Sequence, residues 1–220
     1  TYVDHTYDNL GSLNDSRERE NLGLDATFFY RVAPKTRALF EVRLEDIDYK
    51  LASSPLDNTE MKYLAGVTWD ATAKTSGTAK FGYQEKDYDS ASRDDQDGAS
   101  WEVSARWSPR TYSTFDLMTS QEYEEASGNE DGIDTETYSL TWNHSWDDRF
   151  STQAMLSHMN EDYIGLARED ETDTAKVGFN YELKRWLSVN LAYTYKDKDS
   201  NAADESETQN LFMLTFQGSL

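Results

Sequence analysis

A chain of 220 residues with 42 acidic and 21 basic side chains, a formal charge of −21, offers no basic stripe that could release counterions from nucleic acid. Its mean hydropathy of −0.85 leaves no stretch near the ~20 apolar residues of a membrane helix, but alternating barrel strands also average out as polar, so a membrane barrel stays open. With no cysteine, disulfides and thiolate metal sites are excluded.

Thr1 to Asn9 reads as the second half of a strand, so further strands are expected upstream, and no signal peptide stands at Thr1. After the charged loop Asp15 to Glu20, Leu22, Leu24, Ala26, Phe28 and Tyr30 occupy one face against Asp25, Thr27 and Arg31. Such period-two alternation puts one residue set on each face of a sheet. Ala33-Pro34-Lys35 is a tight turn, because proline presets φ. Ala38, Phe40, Val42 and Leu44 then oppose Arg37, Glu41, Arg43 and Glu45, and Ser53 to Asn58 is a polar loop.

Leu64 to Asp89 gives a strand, a turn at Ala73 to Ser76, and a second strand; Tyr63, Ala65, Val67, Trp69, Ala79, Phe81 and Tyr83 form its apolar face. Beyond the loop Arg93 to Gly98, Trp101, Val103, Ala105 and Trp107 lead to the turn Ser108-Pro109-Arg110, and Ser113, Phe115 and Leu117 follow. The acidic loop Glu122 to Glu136 precedes Tyr138, Leu140 and Trp142, with a turn near Asp147-Asp148. Phe150 to Leu156, a loop Asn160 to Asp173, Ala175 to Tyr181 and a turn at Lys184-Arg185 come next. Leu187 to Tyr195, a loop Lys196 to Glu207, and the alternation Phe212, Leu214, Phe216, Gly218, Leu220 complete the chain.

The connections alternate short and long, as in outer-membrane barrels with short periplasmic turns and longer outside loops. The fold expected is therefore all-β: an antiparallel, up-and-down transmembrane β-barrel with about 12 strands in this chain, one domain over residues 1–220. Alternation alone also suits a soluble sandwich or lipocalin-like barrel. Two details favour the membrane. The central apolar positions carry no Asp, Glu, Lys or Arg although 29% of the chain is charged, and a midplane charge on a barrel's lipid face costs ~2–4 kcal/mol. Alanines 26, 38, 65, 79, 105, 154 and 175 share that face; they would leave voids inside a wide barrel but cost nothing against lipid.

The residues expected to face lipid are Phe28, Phe40, Val67, Trp69, Phe81, Val103, Phe115, Leu140, Leu156, Phe179, Leu191, Leu214 and Phe216. Those expected to line the lumen are Arg31, Arg37, Glu41, Arg43, Lys62, Lys80, Glu102, Arg106, Asp116, Lys176 and Glu182, a wet and charge-balanced set that suits a hydrated solute or, alternatively, plugs the interior with ion pairs. Phe29, Tyr49, Tyr112 and Trp186 are candidates to stack on sugar rings. The loops hold most of the acids, which reads first as a solvated surface. Asp94, Asp95, Asp97 and Gly98 lack calcium-loop spacing, so no metal is expected. Only His5, His144 and His158 are available for acid–base work, and no Ser-His-Asp order or phosphate loop can be defended, so no enzyme and no cofactor is expected.

Several stretches carry a resemblance: GVTWDATAKTSG (66–77), WSPRTYSTFDL (107–117), WNHSWDDR (142–149), YIGLARED (163–170), KRWL (184–187) and DSN (199–201). Together they resemble the "putative β-barrel porin 2" family, outer-membrane barrels of exopolysaccharide operons of the VpsM and EpsL type, over about Leu22 to Leu220. The resemblance implies a conduit for exopolysaccharide secretion in the outer membrane of a Gram-negative bacterium. The alternatives are a structural barrel with a plugged lumen that scaffolds an envelope complex, or a general diffusion porin. The partners implied are outer-membrane lipid, a secreted polysaccharide and a periplasmic polysaccharide-export protein, with a second copy of the chain as a further candidate.

Overall fold

The computed structural model describes residues 1–7, 17–72, 74–125 and 130–219. Aromatic and β-branched residues at alternate positions fit a pleated surface with one buried and one open side. Twelve strands result: β1 (Tyr2–His5), β2 (Arg19–Ala33), β3 (Thr36–Tyr49), β4 (Asn58–Thr72), β5 (Thr75–Tyr88), β6 (Gln96–Arg110), β7 (Ser113–Glu124), β8 (Gly132–Ser145), β9 (Phe150–Ile164), β10 (Arg168–Lys184), β11 (Leu187–Ser200) and β12 (Glu207–Gly218). They form one antiparallel sheet in the order β1 to β12, with no crossover; among the described residues β1 bonds only to β2 and β12 only to β11.

The register preserves face identity across the sheet. Phe28 opposes Phe40, which opposes Ala65, which opposes Phe81. Phe179 opposes Leu191, which opposes Leu214. A one-residue slip anywhere would transfer such a row to the other face, so the apolar pattern fixes the pairing.

The strands are longer than alternation predicts. The expected loop Glu122 to Glu136 is mostly the paired ends of β7 and β8, with Gln121 opposite Glu136 and Glu124 opposite Ile133. Of the expected loop Asn160 to Asp173, only 165–167 lies outside strands, and the expected loop Lys196 to Glu207 shrinks to 201–206. The cause is plain: these strand ends are polar on both faces, so the period-two signal vanishes while the backbone ladder continues. Leu220 and residues 8–16 lie outside the described residues.

The sheet is strongly curled. The Tyr49 hydroxyl, on β3, donates to Glu125 at the end of β7 across 2.7 Å. In a flat sheet four strand spacings amount to about 19 Å, more than those two side chains can bridge. Two glycines help make the bend. A Cβ on Gly82 would sit 1.7 Å from the Tyr63 carbonyl oxygen, and one on Gly66 2.2 Å from that of Ala79. Only glycine lets the backbones approach this closely on the inside of the curve, and Leu64, opposite Gly82, is fully buried beside them.

The concave face as candidate functional site

Arg43 on β3, Lys80 on β5 and Glu102 on β6 belong to the face toward which the sheet curls, and the curl brings them together. Two Arg43 nitrogens donate to both Glu102 oxygens, at 2.5 and 2.9 Å. Arg43 also pairs with Glu41, Lys80 pairs with Glu102, and Lys80 reaches Glu41 at 3.3 Å. Two cations and two anions thus form a charge-neutral cluster, with Asp25 at its margin 4.0 Å from the Arg43 guanidinium. Bidentate geometry of this kind holds a guanidinium in one orientation. Lys62 lies beside it, directly opposite Arg43 in register.

Toward the long-loop end the cluster opens onto a cavity of about 240 Å³, lined among others by Glu60, Lys62, Gln84, Lys86 and Glu122. Lys86 is 0% exposed. Its ammonium meets Glu60 at 2.8 Å and also contacts Glu125. Tyr49 donates to the same Glu125, and the Arg19 guanidinium lies 5.8 Å over the Tyr49 ring. Burial, with Glu125 adding to it, pushes the Tyr49 hydroxyl above its usual pKa. Next along the rim, Tyr88 donates to the Asp131 carbonyl, and Arg93 pairs with the Asp131 carboxylate at 2.8 Å. Both described flanks of the β7–β8 connection are therefore tied inward over β3 to β5.

The other wall is chemically different. From β8 to β11 the same face carries Ser139, Thr141, Asn143, Gln153, Asn190 and Thr194, with Met155, Lys176 and Glu182 among them, and on β12 it carries Leu211 and Met213. Near the loop end of this wall Asp170, 1% exposed, accepts from Arg168, Lys198 and Ser200. Burial opposes ionisation of Asp170, but these three donors prevail and hold its carboxyl well below the usual range.

All eleven residues expected to line a lumen lie on this concave face. Glu41, Arg43, Lys80 and Glu102 form the cluster just described. Arg106 pairs with Asp116 at 2.6 Å as a separate unit. Arg37 lies 5.0 Å over the Phe29 ring, opposite Arg31 near the first turn. Lys176 is half-buried and Glu182 exposed. The sequence reading missed Lys86, Glu125 and Asp170 as organising residues. Lys86 shares the phase of Lys80, so its face was legible, but its complete enclosure depends on long-range curl.

One further expectation needs correction. Tyr49 is buried with its hydroxyl committed to Glu125, so it offers no face for a sugar ring. Tyr112 and Trp186 are exposed at the short-turn rim, and Tyr112 stands edge-on to His144 at 5.4 Å. Asp95 and Asp97 have structural roles: Asp95 accepts from the Tyr88 backbone amide at 2.8 Å, and Asp97 accepts from the Tyr83 hydroxyl. Among the described residues no cluster of His, Asp and Glu could hold a metal ion.

The thirteen residues expected to face lipid share the opposite, convex face. Phe28 is 67% exposed, and Phe40, Phe81, Leu140, Leu156, Phe179, Leu191, Leu214 and Phe216 are exposed as well; Val67, Trp69, Val103 and Phe115 are half-buried among their neighbours. So large a continuous apolar surface marks a membrane or partner contact. Aromatic rows border it. Trp107, Phe115 and Trp142 stack in sequence near the short turns, at 5.3 and 6.4 Å between ring centres. Tyr63 and Tyr83, paired across strands, stand at the other border.

No curated protein matches the chain. Among solved structures, the FrpB iron transporter of Neisseria meningitidis superposes with a TM-score of 0.63 at 10% identity, over 86% of this chain and 38% of that one. The chain thus spans well under half the length of FrpB, and the likeness is one of fold. The CymD monoaromatic hydrocarbon channel (TM-score 0.46, 13% identity, 100% of this chain and 77% of that one) and OmpT of Vibrio cholerae in a loop-deleted form (0.41, 10%, 90% of each) resemble it more distantly. The family match covers residues 1–219. With its exposed apolar belt and up-and-down strands, the chain is an outer-membrane β-barrel protein of the porin type, and it belongs to the family described as "Putative beta-barrel porin 2".

Proposed function

We propose that this chain forms the wall of an outer-membrane channel through which an exopolysaccharide is secreted. The observation that carries the reading is the division of the concave face. Its β8–β11 side presents mainly neutral hydroxyl and amide groups, which exchange hydrogen bonds with sugar hydroxyls for about the same free energy as water does. A hydrated polymer can therefore slide along them without being trapped. The β3–β6 side carries the ion-paired cluster and narrows the path. On this reading the convex apolar residues touch acyl chains, and the concave charges face water. The sequence resemblance supplies the polymer, and a periplasmic polysaccharide-export protein would deliver it to the short-turn end.

Deleting the protein should leave polymer in the periplasm, measured by fractionation and sugar analysis; normal secretion without it overturns the proposal. A second reading, a plugged barrel that scaffolds an envelope complex, draws support from the neutral cluster of Glu41, Arg43, Lys80 and Glu102. Planar-bilayer recording separates the two, since a plugged barrel gives no steady conductance. A general diffusion porin would pass small neutral sugars in liposome swelling and leave polymer secretion intact on deletion.

A further inference from the structure

At the short-turn end of the concave face, Arg31 and Arg37 stand directly opposite each other across β2 and β3, and Arg37 has only Thr68 on its β4 side. Like charges placed directly across a strand pair cost stability. Toward the same end Arg106 avoids that cost: it faces Asp116 in register and pairs with it at 2.6 Å. Arg43, further along the face, has Glu41 and Glu102 as counter-charges. Among the described residues, Arg31, Lys35 and Arg37 are exposed and belong to no ion pair.

These three cations line a cavity of about 250 Å³ together with Thr68 and with Asp70 as its one acid. The register of Arg31, Arg37 and Thr68 opens it to the interior of the curl and away from the apolar belt. The Asp70 amide donates to the Lys35 carbonyl at 2.9 Å and ties the end of β4 to the turn. Arg37 lies 5.0 Å over the Phe29 ring. A guanidinium stacked in this way keeps its in-plane N–H edge free to meet an anion. Three cations with one counter-charge, two of them opposed in register, leave a place that an anion would stabilise.

We propose that this cavity captures the carboxylate groups of an acidic polysaccharide at the inner mouth of the channel, with Arg31 and Arg37 as the binding pair and Lys35 as an added charge. The inference rests on the channel reading and names the class of its substrate. Guanidinium groups grip a carboxylate through two parallel N–H bonds, and the lysine acts as a point charge. A repeating polymer offers a fresh carboxylate as each one leaves, so individually weak contacts add up to capture without halting movement. Beyond the mouth the grip ends. Arg43 and Lys80 are already committed to Glu41 and Glu102, and the opposite wall offers mainly neutral hydrogen-bonding groups.

The test is binding of a short fluorescein-labelled oligogalacturonate to the folded protein in nonionic micelles, followed by polarisation, with the maltooligosaccharide of equal length as neutral control. The acidic oligomer should bind, the neutral one should not, and added salt should weaken the binding. Each of R31Q, K35Q and R37Q should lower affinity about two- to five-fold, the range for removing one exposed ion pair. D70N should raise affinity, since it removes the one competing acid, and K50Q, at the far end of the barrel, should leave it unchanged. None of R31Q, K35Q and R37Q breaks an ion pair among the described residues, and heat-modifiable migration on gels confirms that each variant is folded. Equal binding of the two oligomers, or undiminished binding by the folded triple variant, overturns the proposal. Displacement by millimolar inorganic phosphate, but not by sodium chloride of equal ionic strength, would reassign the cavity to small free anions and also overturn it. Conductance is read separately: a protein that conducts but does not prefer the acidic oligomer loses this site and keeps the channel, and one that prefers it without conducting loses the channel and keeps the site.

Discussion

Lys86 Nζ lies 2.8 Å from a carboxylate oxygen of Glu60, inside a side chain with no exposed surface. A second carboxylate, Glu125, closes on the same ammonium. One cation therefore serves two acids brought together from β4 and the end of β7. Replacing it with an apolar residue leaves the two carboxylates facing each other without a counter-charge. K86M should destabilise the barrel by about 3 kcal/mol, the order of cost for breaking a buried pair from one side, measured by urea unfolding in micelles.

The two acids are not equivalent, and this gives a sharper test. Burial raises the Glu60 pKa, Lys86 offsets that only in part, and Glu125 adds repulsion. Burial also opposes ionisation of Glu125, but Lys86 and the Tyr49 hydroxyl prevail and hold its pKa below normal. A raised carboxyl destabilises the fold once pH exceeds its unfolded pKa of about 4.3, whereas a depressed one stabilises it over that same range. At pH 7, E60Q should therefore be neutral or stabilising, and E125Q should cost about 1.5–3 kcal/mol, as for a hydrogen bond to a charged group. Equal losses for both variants would contradict this asymmetry.

The clasp between Arg43 and Glu102 joins β3 to β6 across the concave face. If it narrows a water-filled path, R43L combined with E102L should raise single-channel conductance without leaving an unpaired charge. Changing both partners matters, because a lone buried charge would confuse pore width with folding. Unchanged conductance in the folded double variant would move the constriction elsewhere.

The glycines make opposite predictions according to their place in the sheet. G82A pushes a Cβ to within 1.7 Å of a backbone oxygen that cannot move aside, so it should cost more than about 4 kcal/mol, in the exceptional range for a single substitution. At Gly178 the nearest atoms to an added Cβ lie 3.9 Å away. There, G178A should stabilise the strand by about 0.5–1 kcal/mol through reduced chain entropy. Refolding yield and urea midpoints of the two variants check both directions.

A charge placed on the convex belt meets lipid, while the same charge on the concave wall meets water. L156R should cost about 2–4 kcal/mol, and T141R, one strand away on the other face, less than about 1 kcal/mol. Similar losses in unfolding experiments would mean that the apolar face does not lie in the bilayer.

The face of almost every residue between Leu22 and Phe216 was legible, because one buried side and a period of two leave a strong trace. Phe28, Phe81 and Leu214 needed nothing more than alternation. Strand length was not legible, since Glu161 and Asp170 oppose each other in a ladder whose two faces are both polar. Nor was the site. Glu102 and Arg43 are 59 positions apart, and nothing local in either strand signals that curvature will join them. Gly66 and Gly82 hint at that curvature, but glycine in a strand marks a bulge, a bend or an irregularity alike.

Asp170 provides the last prediction, at the β9–β11 end of the wall. Its carboxylate holds Arg168, Lys198 and Ser200 in one buried network, and its pKa is depressed because those donors outweigh burial. A depressed carboxyl contributes stability that is complete above its unfolded pKa of about 3.9 and declines as pH falls below it. The strand ends around Tyr163, Arg168 and Lys198 should therefore lose hydrogen-exchange protection below about pH 4, before the apolar belt does. D170N should be destabilised already at pH 7, since Lys198 loses this partner while Arg168 keeps Glu205 at 3.0 Å. It should also lose the acid-dependent step. If wild type and D170N open at the same pH, the network does not hold this end of the wall together.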